Sequence, residues 1–159
     1  METSLLWLFE WCEATALGHA IKGSAWLFPV IEAGHLLGLC VLGGSLLVVD
    51  LRMLGLGLRR QTIAELAKDV WPWLLGSIGV MIVTGTALFL SESVKCYHSQ
   101  AFWVKITTIP IAVLFTLTVR RRVSRGGTLD TTAVTRLVAL LSLALWFTVA
   151  AAGRWIGFS

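Results

Sequence analysis

Four apolar stretches, at 25–49, 71–90, 102–119 and 134–156, constrain this chain more than any other feature, because each is long enough to cross a bilayer as a helix. A crossing takes about 20 apolar residues in helical form, since hydrocarbon offers no partners for backbone N–H and C=O groups. A closed β-barrel would show alternating segments of about ten residues instead, and the sequence has none. Only 14% of the residues are charged, against about 25% in an average soluble domain. The expectation is an all-α fold, a single integral membrane domain over 1–159, in which short connections make the four spans an up-down transmembrane bundle.

Residues 1–24 differ from the spans. Glu2, Glu10, Glu13 and Lys22 interrupt Leu5, Leu6, Trp7, Leu8, Phe9 and Trp11 before a spanning run accumulates, which predicts an amphipathic helix lying on the surface. An acidic start without a small-residue cleavage site argues against a signal peptide.

Orientation follows the basic residues. Arg52, Arg59, Arg60 and Lys68 lie in the first connection and Arg120, Arg121, Arg122, Arg125 and Arg136 around the third, nine of the 13 Lys and Arg in the chain. Loops 50–70 and 120–134 are therefore expected in the cytoplasm and both termini outside. The net charge of +4 reads as this topology signal and not as a nucleic-acid surface. Cys12 and Cys96 share the expected outer side, where a disulfide between them is one option, and Cys40 in the first span reads as a small core residue.

For packing, Gly34 with Gly38 and Gly76 with Gly79 offer close helix approach. Pro29 and Pro110 each remove a backbone hydrogen bond and are expected to open kinks. Trp71, Trp73, Trp103 and Trp155 near the span ends read as interfacial anchors.

Glu32 and His35 are the residues that point to chemistry. Their three-residue spacing places them near one helix face, and ionisable groups inside a span are costly enough to be a functional-site hypothesis by default. His35 lies ten residues into the span, about 15 Å at the helical rise and close to mid-bilayer. Lys105 and Arg154 add two cations in the outer half. Two readings stand for each of these groups. Lys105 and Arg154 either snorkel to the headgroups or join Glu32 in a network that clamps an anion. His35 is either a hydrogen-bonded core histidine or a metal ligand. A porphyrin suits the second set: His35 ligates iron while propionates reach Lys105 and Arg154. Met81, at similar depth in the second span, is either gap-filler or a second axial ligand. His19 and His98 are too shallow for the same iron. One Glu-x-x-His unit falls short of a di-iron carboxylate bundle, and nucleotide-binding and hydrolase motifs are absent. Asp50-Leu51-Arg52 reads as a salt-bridged helix end.

From Ser24 onward the chain resembles an uncharacterised bacterial family of four-span membrane proteins. The resemblance rests on Trp26-Leu27-Phe28-Pro29-Val30-Ile31-Glu32, His35-Leu36-Leu37-Gly38 and Asp50-Leu51-Arg52-Met53-Leu54-Gly55. Thr84-Gly85, Leu88-Phe89, Ala101-Phe102 with Lys105, and Leu145-Trp146 with Gly153-Arg154 extend it. Through the last of these, Trp146 joins the cofactor-binding candidates. More distantly, an early-span His followed by a Lys opening a later span is similar to the HemJ-type protoporphyrinogen oxidases and the CopD-type membrane domains. That likeness implies haem b and porphyrin oxidation, or copper movement, with His35 and Lys105 at the matching positions. Three methionines, Met1, Met53 and Met81, are few for copper conduction.

The leading expectation is a haem b-binding membrane protein for electron transport, in which His35 ligates iron, Lys105 and Arg154 neutralise propionates and Glu32 tunes the site. The alternatives are a porphyrinogen oxidase with quinone as acceptor, and a non-catalytic subunit of a larger membrane complex or homo-oligomer. The expected partners are therefore the lipid bilayer and a quinone or redox protein.

Overall fold

The computed structural model describes residues 2–57, 60–126 and 132–157, with the backbone alone at 2–4. Arg59, one of the basic residues counted above, lies outside them. Helices account for nearly all described residues, in the order α1 (Glu2–Glu13), α2 (Ala16–Lys22), α3 (Leu27–Met53), α4 (Ile63–Ser91), α5 (Ser93–His98), α6 (Gln100–Phe115), a π-helical turn (Thr116–Arg120), α7 (Arg121–Ser124) and α8 (Ala133–Ile156). No strand occurs among the described residues. Four helical stretches are long and apolar enough to cross a membrane: Leu27–Met53, Ile63–Ser91, Gln100–Ser124 and Ala133–Ile156. They form the expected four-helix bundle.

The helices outrun the apolar stretches because polar signals fix their ends. Thr62 caps α4 by accepting from the Glu65 amide at 3.1 Å, and the Glu65 carboxylate accepts from the Thr62 amide at 3.0 Å. This reciprocal capping box starts α4 eight residues before the apolar run begins at Trp71 and carries the helix through Pro72. Pro29 causes no break, because it sits in the first turn of α3, where its amide would have no intrahelical partner anyway. Pro110 stays inside α6.

The N-terminal segment is two helices where one was expected. The chain breaks at Thr15, whose hydroxyl accepts from the Gly18 amide at 3.2 Å and starts α2. Gly18 is required there: a Cβ would stand 2.5 Å from the Leu90 carbonyl oxygen and 2.8 Å from that of Glu13. This segment caps the end of the bundle that carries both termini. Phe9 is buried among Phe89, Tyr97 and Phe102, with ring centroids 5.2–6.0 Å away. Ser93 donates to the Phe9 carbonyl at 2.7 Å. Glu13 accepts from the Val94 amide at 3.0 Å and pairs with Lys22. The Lys22 hydrogen bond is the main cause that holds the Glu13 carboxyl below its usual value. This tie is therefore present above the ordinary carboxylate range and is lost as pH falls through the depressed value.

Within the bundle α3 pairs with α4 and α6 with α8, and α3 joins the two pairs by packing on α8. The fourth side, α4 against α6, has no comparable packing among the described residues. It is closed at the terminal end by the stacked rings of Phe89 and Phe102, 5.5 Å apart. At the arginine-rich end the core is Val49, Met53, Ile63, Leu66, Val138 and Ala139, and at mid-depth it is Leu42, Leu46 and Leu74 with Trp146 and Met81 against them. Lipid tails are as apolar as these side chains, so close approach and polar contacts must supply much of the cohesion. Of the four glycines expected to give close approach only Gly38 does, with a would-be Cβ 3.0 Å from Val80 and 3.4 Å from the Met81 sulfur; Gly34, Gly76 and Gly79 face open space. Cys40 is exposed on α3 and is not a core residue.

Candidate functional site

His35 lies in the seam between α3 and α4. Its ring rests on Gly85, where a Cβ would come within 3.3 Å of the imidazole Cε1. Its Nδ1 is 2.8 Å from the Thr84 hydroxyl. That hydroxyl donates its single proton to the Val80 carbonyl at 2.6 Å. The Thr84 oxygen is therefore the acceptor toward His35, so Nδ1 carries the proton and Nε2 keeps a free lone pair. A helix-internal threonine bonding back to the carbonyl four residues earlier thus fixes the tautomer of a histidine on the neighbouring helix.

Lys105 lies in the seam between α6 and α8. Its chain crosses Gly153, where a Cβ would stand 3.3 Å from Nζ and 3.5 Å from Cε. Gly153 thus leaves the room that the Lys105 stem occupies. The ammonium is within electrostatic reach of His35 and of Cys96, and it has no hydrogen-bond or ion-pair partner among the described residues.

The other candidates are placed elsewhere. Glu32 is exposed, and the partner of His35 is Thr84 and not Glu32. The two lie about 60° apart around the helix, and of the pair only His35 enters the seam while Glu32 is exposed. Arg154 is also exposed, in the last turn of α8, as snorkelling would have it. Met81 packs on Gly38 and the mid-depth core. Trp146 belongs to the same core and donates from Nε1 to the Thr116 hydroxyl at 2.9 Å. His35 and Lys105 thus each enter a helix seam, one between α3 and α4 and the other between α6 and α8, while Glu32 and Arg154 are not gathered around either.

Cys12 and Cys96 are unbonded. Burial is the chief cause that pushes the Cys96 thiol up to about 11, with Glu92 adding to it against the pull of Lys105 and Lys95. At about pH 8 its thiolate fraction should be about 100-fold below that of an ordinary thiol. Alkylation by iodoacetamide, followed by mass spectrometry, should therefore label Cys96 far more slowly than Cys12; equal rates would show the thiol to be accessible and unshifted.

A second polar cluster was not anticipated. Asp50, 0% exposed, accepts from Arg120 Nε at 2.7 Å and from the Ser142 hydroxyl at 2.7 Å. Arg120, 3% exposed, also donates from Nη2 to the Leu46 carbonyl at 3.3 Å. The salt bridge of Asp50 is therefore with Arg120, across the bundle. Arg52, expected as its partner, donates instead to the Gln61 carbonyl at 2.9 Å. Thr116 and Arg120 begin and end the π-helical turn, a wide turn of the kind often found at functional sites.

Among the described residues no three His, Cys, Asp or Glu side chains converge, so these residue types do not build a tetrahedral metal site there.

These features define a multi-pass α-helical membrane protein with His35 in the seam of one helix pair and Lys105 in the seam of the other. Residues 8–159 match a family described as a family of unknown function (DUF6644), and the chain belongs to that family. No curated protein and no solved structure matches it.

Proposed function

We propose that this protein is an integral membrane haem b-binding protein that takes part in electron transfer. The observation that carries the reading is the His35–Thr84–Val80 chain of hydrogen bonds, which leaves Nε2 as the free donor atom. When bound, haem would supply the one-electron chemistry. His35 would hold the iron, and the Thr84 oxygen would keep its ring in the ligating tautomer. Lys105, unpaired between α6 and α8, would neutralise a propionate. Arg154 would meet a second anionic group only by swinging in from the surface, and Met81 would become a ligand only by leaving Gly38. The positive-inside rule supports an orientation with the arginine-rich end in the cytoplasm of a bacterial cell and both termini outside.

The test is a dithionite-reduced minus oxidised absorption spectrum of the detergent-purified chain, with iron quantified on the same sample. A b-type α-band with stoichiometric iron is expected. A colourless, iron-free protein made with adequate haem supply would overturn the reading, leaving that of an accessory subunit. Rescue of a haem-synthesis defect would favour porphyrinogen oxidation over simple electron transfer.

A further inference from the structure

At the arginine-rich end, Leu117, Thr118, Arg121, Arg122 and Arg125 line an open hollow of about 300 Å³. It spans the join between the π-helical turn and α7, so its apolar lining lies on the span side and its three guanidinium groups beyond. Arg120, the first of the arginine run, turns inward to Asp50. Arg121 does not follow it: its guanidinium carbon stands 4.1 Å over the ring of Trp71 on α4. Stacking there orients the fork but leaves the Arg121 Nε–H buried with no acceptor, and a buried donor in that state is rare. Arg122 and Arg125 are exposed. No carboxylate lies within ion-pair distance of these three arginines among the described residues. One turn up the helix from Leu117, Leu114 is 64% exposed and continues the apolar track toward mid-bilayer.

We infer that this hollow seats the phosphate of an anionic phospholipid. Guanidinium groups match phosphate oxygens in charge and fork geometry, and Arg121, Arg122 and Arg125 bring three of them to this one hollow. The hollow opens toward the span through Leu117 and Leu114, which is where an acyl chain of the same molecule would lie. A free phosphate would use the arginines but leave this apolar track unused. Trp71 holds Arg121 in place, so the site couples α4 to α7 on the side where α4 and α6 pack little.

Native mass spectrometry of the full-length protein in detergent, supplied with an equimolar mixture of phosphatidylglycerol and phosphatidylcholine, tests this. The wild type should retain one phosphatidylglycerol in preference to phosphatidylcholine. Neutralising the exposed pair, as Arg122→Gln/Arg125→Gln, leaves the Trp71 stack and the Asp50 bridge intact and should weaken retention by on the order of tenfold or more, from the attraction of each cation near an anionic headgroup. Arg121→Lys keeps the charge but removes the planar fork stacked on Trp71, and it should weaken retention further than charge alone predicts. Equal retention of both lipids, or retention unchanged in the double variant, would overturn the proposal. So would displacement of the lipid by millimolar inorganic phosphate, which would mark the hollow as a site for the free anion.

Discussion

Replacing Arg120 with Met should destabilise the folded protein by about 3–5 kcal/mol, the cost of leaving a buried carboxylate without its partner. Asp50 is fully enclosed, and its two oxygens accept one bond each, from Arg120 and from Ser142. Without Arg120 the Ser142 hydroxyl remains, and one neutral donor does not compensate a charge in a medium this dry. Asp50→Leu alone should cost a similar amount, because among the described residues the guanidinium would then keep only the Leu46 carbonyl as its acceptor. The double variant Asp50→Leu/Arg120→Met should recover most of the loss, since two apolar side chains of comparable volume replace both charges. Reversible unfolding in mixed micelles of all four proteins closes the double-mutant cycle. If Arg120→Met were as stable as the wild type, the pair would not hold α3, the π-helical turn and α8 together.

His35→Ala should abolish bound haem, because it removes the side chain that, in the proposed function, would hold the iron. Thr84→Val is the more discriminating change. It keeps the shape beside the ring but removes the oxygen that accepts from Nδ1, so the tautomer is no longer fixed. Loss of such a second partner of a metal-bound histidine costs about 10–100-fold in affinity. Pigment measured per mole of protein should fall in the order wild type, Thr84→Val, His35→Ala. Unchanged pigment in His35→Ala would remove His35 from the site whatever the spectrum of the wild type. Full pigment in Thr84→Val would leave the ligand in place and deny the threonine its role.

The bundle was legible in the sequence because membrane crossing imposes a length on apolar stretches, and 25–49, 71–90, 102–119 and 134–156 all met it. The early start of α4 was equally present, in the Thr62 and Glu65 capping box, eight residues ahead of the apolar run that begins at Trp71. Which face of α3 turns inward could not be read. The helix is apolar almost all round, so no stripe distinguishes the side of His35 from that of Glu32. The glycines beside the candidate site, Gly85 and Gly153, stand out only once one sees what rests on them. Asp50 and Arg120 are 70 residues apart, and Arg120 opens a run of three arginines that reads as a topology signal. One member of that run buried and the next two directed elsewhere is a result of tertiary packing around the π-helical turn, which has no sequence signature of its own.

The pairing of the helices also bears on how the chain assembles. Each strong pair, α3 with α4 and α6 with α8, is made of successive membrane crossings, so each is suited to form as a hairpin when its second member enters the bilayer. The joint between the hairpins is different in kind. Asp50 belongs to the first, Arg120 and Ser142 to the second, and until the hairpins meet each carries charge at its arginine-rich end with water as its nearest partner. Docking exchanges that water for the bridge. A first hairpin that never finds the second would keep an unpaired carboxylate at the membrane boundary, a mark by which quality-control proteases could tell the half-built protein from the finished one.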